Sequence, residues 1–84
     1  MYKIAWNKRA VKSLKRIDRK ETERIYRAVQ NLRNWPDCKN TVALINHEYD
    51  YRLRVGRFRV FFNLEDAIRI VWIEEVKKRD ERTY

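Results

Sequence analysis

From Tyr49 to Leu64 the chain reads YDYRLRVGRFRVFFNL, an alternation of charged and apolar residues broken by one glycine, Gly56. A period of two belongs to a strand with one buried face, and two such runs around a glycine predict a β-hairpin. Tyr49, Tyr51, Leu53 and Val55 then share one side of the first strand, with Asp50, Arg52 and Arg54 on the other. In the second run Phe58, Val60, Phe62 and Leu64 oppose Arg57, Arg59, Phe61 and Asn63. A two-residue turn at Val55 and Gly56 keeps the faces separate, whereas a three-residue loop mixes them. In that register Arg54 pairs with Arg57 and Arg52 with Arg59, so four arginines share one face. Like charges across a ladder are destabilising, and their presence points to an anionic partner.

The rest of the chain supplies the cover for the apolar side. Tyr2, Ile4 and Trp6 alternate as a short first strand, and Asn7 is a natural cap for a helix from about Lys8 to Ile17. Asp18 followed by Glu21 resembles a capping box opening a second helix, whose buried stripe is Ile25, Ala28, Val29 and Leu32. Trp35-Pro36 stops it, because proline disfavours the helical conformation in the residue before it. Asp37 to Glu48 has no sustained period and reads as a connection. A last strand from Ile68 to about Val76 follows a three-residue loop, Glu65-Asp66-Ala67. That register sets Leu64 against Ile68, Val60 against Trp72, and Glu75 against Arg57. The order β-α-α-β-β-β predicts an α+β fold with a helical hairpin packed on one face of a mainly antiparallel sheet. At 84 residues a single domain, 1–84, is expected.

Charge narrows the function. The formal net charge of +9, from 21 Lys and Arg against 12 Asp and Glu, suits a partner that is a nucleic acid or an acidic protein. With one cysteine, Cys38, and one histidine, His47, neither an internal disulfide nor a thiolate or histidine metal site is expected, and no cofactor is implied. The longest apolar run, Ile70 to Ile73, is far below the roughly 20 residues a membrane span needs. No hydrophobic leader follows Met1, so a cytoplasmic location without membrane contact is expected.

Guanidinium forks suit phosphate oxygens better than ammonium groups do. Arg52, Arg54 and Arg59 are therefore the primary anion-binding candidates, while Arg57 faces Glu75 in the expected register. Phe61 shares their face and is a candidate for stacking on an unpaired base. The basic tail, with Lys77, Lys78, Arg79 and Arg82, ends in Tyr84. A phenol among several cations ionises more readily and can act as a general base. His47 and Glu48 are the other acid-base groups nearby, in the connection before the hairpin.

Taken together, YRLRVGRFRVFF, the upstream AVKSLKRI and the closing EEVKKRDERTY resemble the RelE/ParE superfamily of bacterial toxins, over nearly the whole chain. The resemblance implies a RelE-like fold, an antitoxin partner that covers the basic surface, and one of two activities. RelE-like members are endoribonucleases that enter the ribosomal A site and cut messenger RNA, and ParE-like members inhibit DNA gyrase. The family's hairpin cations fall on Arg52 and Arg54, its arginine after the turn on Arg59, its tail cation on Lys78 or Arg79, and its tyrosine on Tyr84. Many relatives carry histidine in the tail where this chain has lysine and arginine, which leaves Tyr84 as the base. The expected function is thus metal-independent, ribosome-dependent cleavage of messenger RNA through the 2′-hydroxyl. Arg59, Arg54, Tyr84 and Arg79 or Lys78 are its catalytic groups, and Arg52, Arg57, Phe61 and Lys77 hold the RNA. A gyrase inhibitor and a basic RNA-binding module without activity are the alternatives.

Overall fold

The computed structural model describes residues 1–79. Strand β1 (Lys3–Trp6) leads into helices α1 (Lys8–Lys15) and α2 (Arg19–Gln30), and one 3-10 turn (Asn31–Asn34) closes the helical hairpin. The sheet is completed by β2 (Thr41–Ala43), β3 (Tyr51–Val55), β4 (Phe58–Glu65) and β5 (Ile70–Lys78). Strand order is β1-β5-β4-β3-β2, with β1 parallel to β5 and the remaining pairs antiparallel. This is the expected α+β arrangement with one strand more than the sequence pattern gave. Strand β2 is only three residues long, too short for alternation to register.

The inner sheet face carries Leu53, Val55, Phe58, Val60, Phe62, Val71, Ile73 and Val76, all buried against Ala10, Ile25, Val29 and Leu32 of the helical layer. Burying one such side chain contributes about 1.5–3 kcal/mol, so the apolar side of the hairpin drives helix docking. At the start of α1 the Asn7 side chain accepts from the Arg9 backbone N–H at 3.3 Å. Asp18 precedes α2 but makes no side-chain cap bond, so the expected capping box does not form. Glu21 pairs instead with Arg24 at 3.7 Å, one turn along the helix.

Two registers differ from those expected. The hairpin turn is Gly56-Arg57, with Val55 opposite Phe58, Arg54 opposite Arg59 and Arg52 opposite Phe61. Gly56 has φ +58, and glycine in the first of two turn positions is the type II′ preference. Valine resists that conformation, which moves the turn on by one residue. Each pairing therefore shifts by two, and side-chain parity survives, so Arg52, Arg54 and Arg59 still share the outer face. Between β4 and β5 the connection contains the 3-10 turn Asp66–Ile68 and Arg69 at φ 53. Here parity is lost: Leu64 pairs with Val71 and Asn63 with Trp72, placing Trp72 on the outer face. A bulge at Glu74 of β5, opposite the step from Phe61 to Phe62, then shifts the ladder by one more residue, so that Glu75 lies opposite Phe61 and not Arg57.

Candidate functional site

Five arginines converge at the turn end of the outer face. Arg52 and Arg54 come from β3, Arg57 from the turn and Arg59 from β4, and Arg79 follows β5. With Gly56 and Phe58 they line a pocket of about 180 Å³. Arg79 is fixed there by its backbone N–H, which donates to the Arg57 carbonyl at 2.6 Å. Arg54 and Arg59 are direct cross-strand partners, a spacing of about 4.5–5.5 Å between Cα atoms. On the helix side, Arg24 leans over the turn. A Cβ on Gly56 would meet its guanidinium at 3.0–3.2 Å.

None of these five arginines forms an ion pair among the described residues. The Nε of Arg52 is buried with no hydrogen-bond partner there, an arrangement that costs free energy unless something else compensates. Lys77 extends the same surface, as the partner of Arg59 on β5. Lys78 pairs with inward-facing Phe58, and together with Arg57 and Lys77 it lines a second cavity of about 530 Å³ between β5 and the α1–α2 connection. That cavity sets Asp18, Glu21 and Glu75 among Arg16, Arg57, Lys77 and Lys78, so acids offset most of its positive charge. Tyr84 and Arg82 lie outside the described residues.

Further from the turn the outer face is closed. Phe61 is 5% exposed because the segment before β3 folds over it: His47 stacks on its ring at 5.1 Å and 16°, and Tyr49 tilts against it at 5.5 Å. Phe61 therefore presents no open face for a base, contrary to the sequence reading, and His47 occupies that position instead. The Tyr49 hydroxyl accepts from Arg9 Nη1 at 2.7 Å and donates to Glu75 Oε1 at 3.0 Å. Arg9 also reaches Glu48 at 3.4 Å and Glu75 at 3.6 Å. Burial first, and the bond to Glu75 second, hold the Tyr49 phenol above its ordinary pKa, while Arg9 opposes the shift. In return Tyr49, through its hydrogen bond, and then the two carboxylates hold Arg9 more firmly protonated. Glu74 is bound on both oxygens, by Asn7 at 2.9 Å and Asn63 at 3.2 Å. The roles of Arg9, Tyr49 and Glu75 were hidden from sequence reasoning, because contacts 40 and 26 positions apart leave no local pattern.

Residues 4–83 match the family described as ParE toxin of type II toxin–antitoxin system, parDE. The chain belongs to that family. Its fold is that of RelE toxins within the RelE/ParE superfamily. It is similar to the archaeal RelE–RelB complex from Pyrococcus horikoshii OT3, at 22% identity over 96% of this chain and 98% of that one, with a TM-score of 0.79. The isolated E. coli RelE toxin superposes with a TM-score of 0.81 at 15% identity, covering 99% of this chain and 89% of that one. The toxin–antitoxin complex RelBE2 from Mycobacterium tuberculosis gives 0.79 at 20% identity, over 93% and 98%. At these identities the likeness is one of fold. No curated protein matches the chain. Among the described residues no helix is long and apolar enough to cross a membrane.

Proposed function

We propose that this toxin is an endoribonuclease that cleaves messenger RNA in the ribosomal A site, and that an acidic antitoxin segment neutralises it by covering the arginine pocket. The observation that carries the reading is the pocket itself: five guanidinium groups around about 180 Å³, unpaired among the described residues. In the proposed reaction the 2′-hydroxyl of one nucleotide attacks the adjacent phosphorus. A P–O2′ bond forms, the P–O5′ bond breaks, and the products are a 2′,3′-cyclic phosphate and a 5′-hydroxyl.

Tyr84 is assigned as the base that takes the 2′-hydroxyl proton. Arg54 and Arg59 stabilise the charge that builds on the phosphorane. Arg79, which lines the pocket, aids the leaving 5′-oxygen in preference to Lys78, whose strand position faces the helices. Arg52, Arg57 and Lys77 hold the message. Acid-base groups this weak need a large partner to fix the RNA geometry, which favours cleavage on the ribosome over cleavage of free RNA.

The test is 5′-end mapping of messages on programmed ribosomes with purified protein. Cuts within the A-site codon, abolished by combining Arg59→Ala with Tyr84→Phe, support the reading; intact cutting by that double variant sinks it. The family's ParE description favours one second reading, in which the same basic face docks on DNA gyrase. Inhibition of supercoiling in vitro, unaffected by Tyr84→Phe, would support that instead.

A further inference from the structure

We propose that His47 is a nucleobase-stacking platform that sets which base this toxin accepts beside the arginine pocket. The proposal rests on the RNA-cleaving reading above and adds to it a recognition residue that the catalytic assignment does not use.

His47 is exposed, yet its ring does not hang free. One face lies on Phe61, at 5.1 Å and 16° from parallel. Its Nδ1 accepts the Tyr49 backbone N–H at 3.0 Å, which fixes the ring plane. Tyr49 is itself tied to Arg9 of α1 and Glu75 of β5, so the segment carrying His47 is anchored to both the helical layer and the sheet. The effect of this anchoring is to present one flat aromatic face outward in a set orientation.

The platform stands next to the phosphate-binding candidates. Phe61, beneath it, is the cross-strand partner of Arg52 and lies two residues from Arg59 along β4, about 7 Å at the strand rise. An unpaired nucleotide whose phosphate sits among the arginines has its base within reach of that ring. Stacking on an aromatic face is a general mode for unpaired bases, and a ring already held in place loses little freedom when the base arrives. Single-stranded RNA thus meets cations for its backbone and an aromatic shelf for one base.

The closing experiment uses two readouts on full-length protein. In the first, a short oligoribonucleotide containing 2-aminopurine reports stacking by fluorescence quenching. Wild type and His47→Phe quench it, while His47→Ala loses the quenching and binds about tenfold or more weakly. In the second, programmed ribosomes are cut in single turnover: His47→Ala slows cleavage about tenfold and flattens its base preference, and His47→Phe restores the rate. Equal quenching by wild type and His47→Ala, or no quenching by either, overturns the proposal, as does His47→Phe behaving like His47→Ala. If wild type fails to cut programmed ribosomes, the nuclease reading falls while the quenching comparison still decides the platform.

Discussion

At the turn end of the outer sheet face, Arg52, Arg54, Arg57, Arg59 and Arg79 gather without a carboxylate partner among the described residues. A few residues along the same strands, the opposite holds: Glu74 is bonded by Asn7 and Asn63, and Glu75 by Tyr49 and Arg9. One end leaves its charges without an ion pair among the described residues. The other satisfies them internally and gains a fixed surface. The two ends share a scaffold, so the difference lies in where the acids fall. The β4–β5 connection shifts the ladder by three residues and the bulge at the Phe61–Phe62 step by one more, which moves Glu75 from Arg57 to Phe61 and within 3.6 Å of Arg9. A uniform ladder in the expected register would have set Glu75 against Arg57 and blunted the pocket.

The contrast makes Arg59 and Tyr49 opposites under mutation, and Arg59→Ala carries the largest expected effect. Losing one preorganised donor to a developing oxyanion typically costs 10²–10³ in rate, about 2.7–4 kcal/mol. Cleavage on programmed ribosomes should fall by that much while the melting temperature holds or rises, since a repulsive pair with Arg54 is removed. A variant that melts early would mean that Arg59 is structural and that the two ends are not distinct.

Next in size is Gly56→Ala. The left-handed backbone costs a residue with a Cβ about 1–2 kcal/mol, and Arg24 must move from within 3.0–3.2 Å. Thermal melting should drop by several degrees, about 4–8 °C per kcal/mol for a domain of this size. An unchanged melting curve would show that the turn tolerates another conformation.

Tyr49→Phe should cost about 1 kcal/mol, the usual net value of a hydrogen bond, because Arg9 and Glu75 remain close enough to pair at 3.6 Å. This variant also tests pH dependence. The Tyr49 phenol is held above the ordinary value of 10.0 by burial, then by its bond to Glu75. A raised folded-state pKa means that the folded chain retains the proton longer. Its contribution is complete below about pH 10 and is lost as pH climbs through the raised value. Melting curves from pH 8 to 11.5 should therefore fall less steeply for Tyr49→Phe than for wild type; parallel curves would remove Tyr49 as the anchor.

Smallest is the change in salt response. For single strands the logarithm of affinity falls with log salt at about 0.7 per neutralised phosphate. Arg54→Ala should flatten that slope for a short oligoribonucleotide by about 0.7, and Arg9→Ala should leave it unaltered. Equal flattening by both would show that the whole outer face, rather than its turn end, meets the RNA.

Much of this face was legible from residue order. A period-two pattern fixes which side chains share a face whatever the exact pairing, so Arg52, Arg54 and Arg59 came out together although the turn is Gly56-Arg57 rather than Val55-Gly56. The β4–β5 loop was not legible in the same way. Arg69 adopts φ 53 without being glycine, and the odd shift it helps create carries Trp72 to the outer face and Val71 to the core. Strand β2 went unseen because its three residues are held by pairing with β3, not by a pattern of their own.

By itself the sequence determined the two helices, the arginine hairpin, the basic character of one sheet face and the family resemblance. These depend on local periodicity and on residue chemistry, which neighbouring positions reveal. Only the tertiary structure decided that Glu75 stands opposite Phe61 rather than Arg57, that Phe61 is roofed by His47, and that Arg9, Tyr49 and Glu75 lock that roof in place. Those outcomes depend on a turn, a bulge and contacts between distant segments, where a shift of one residue changes every partner while leaving the local pattern almost untouched.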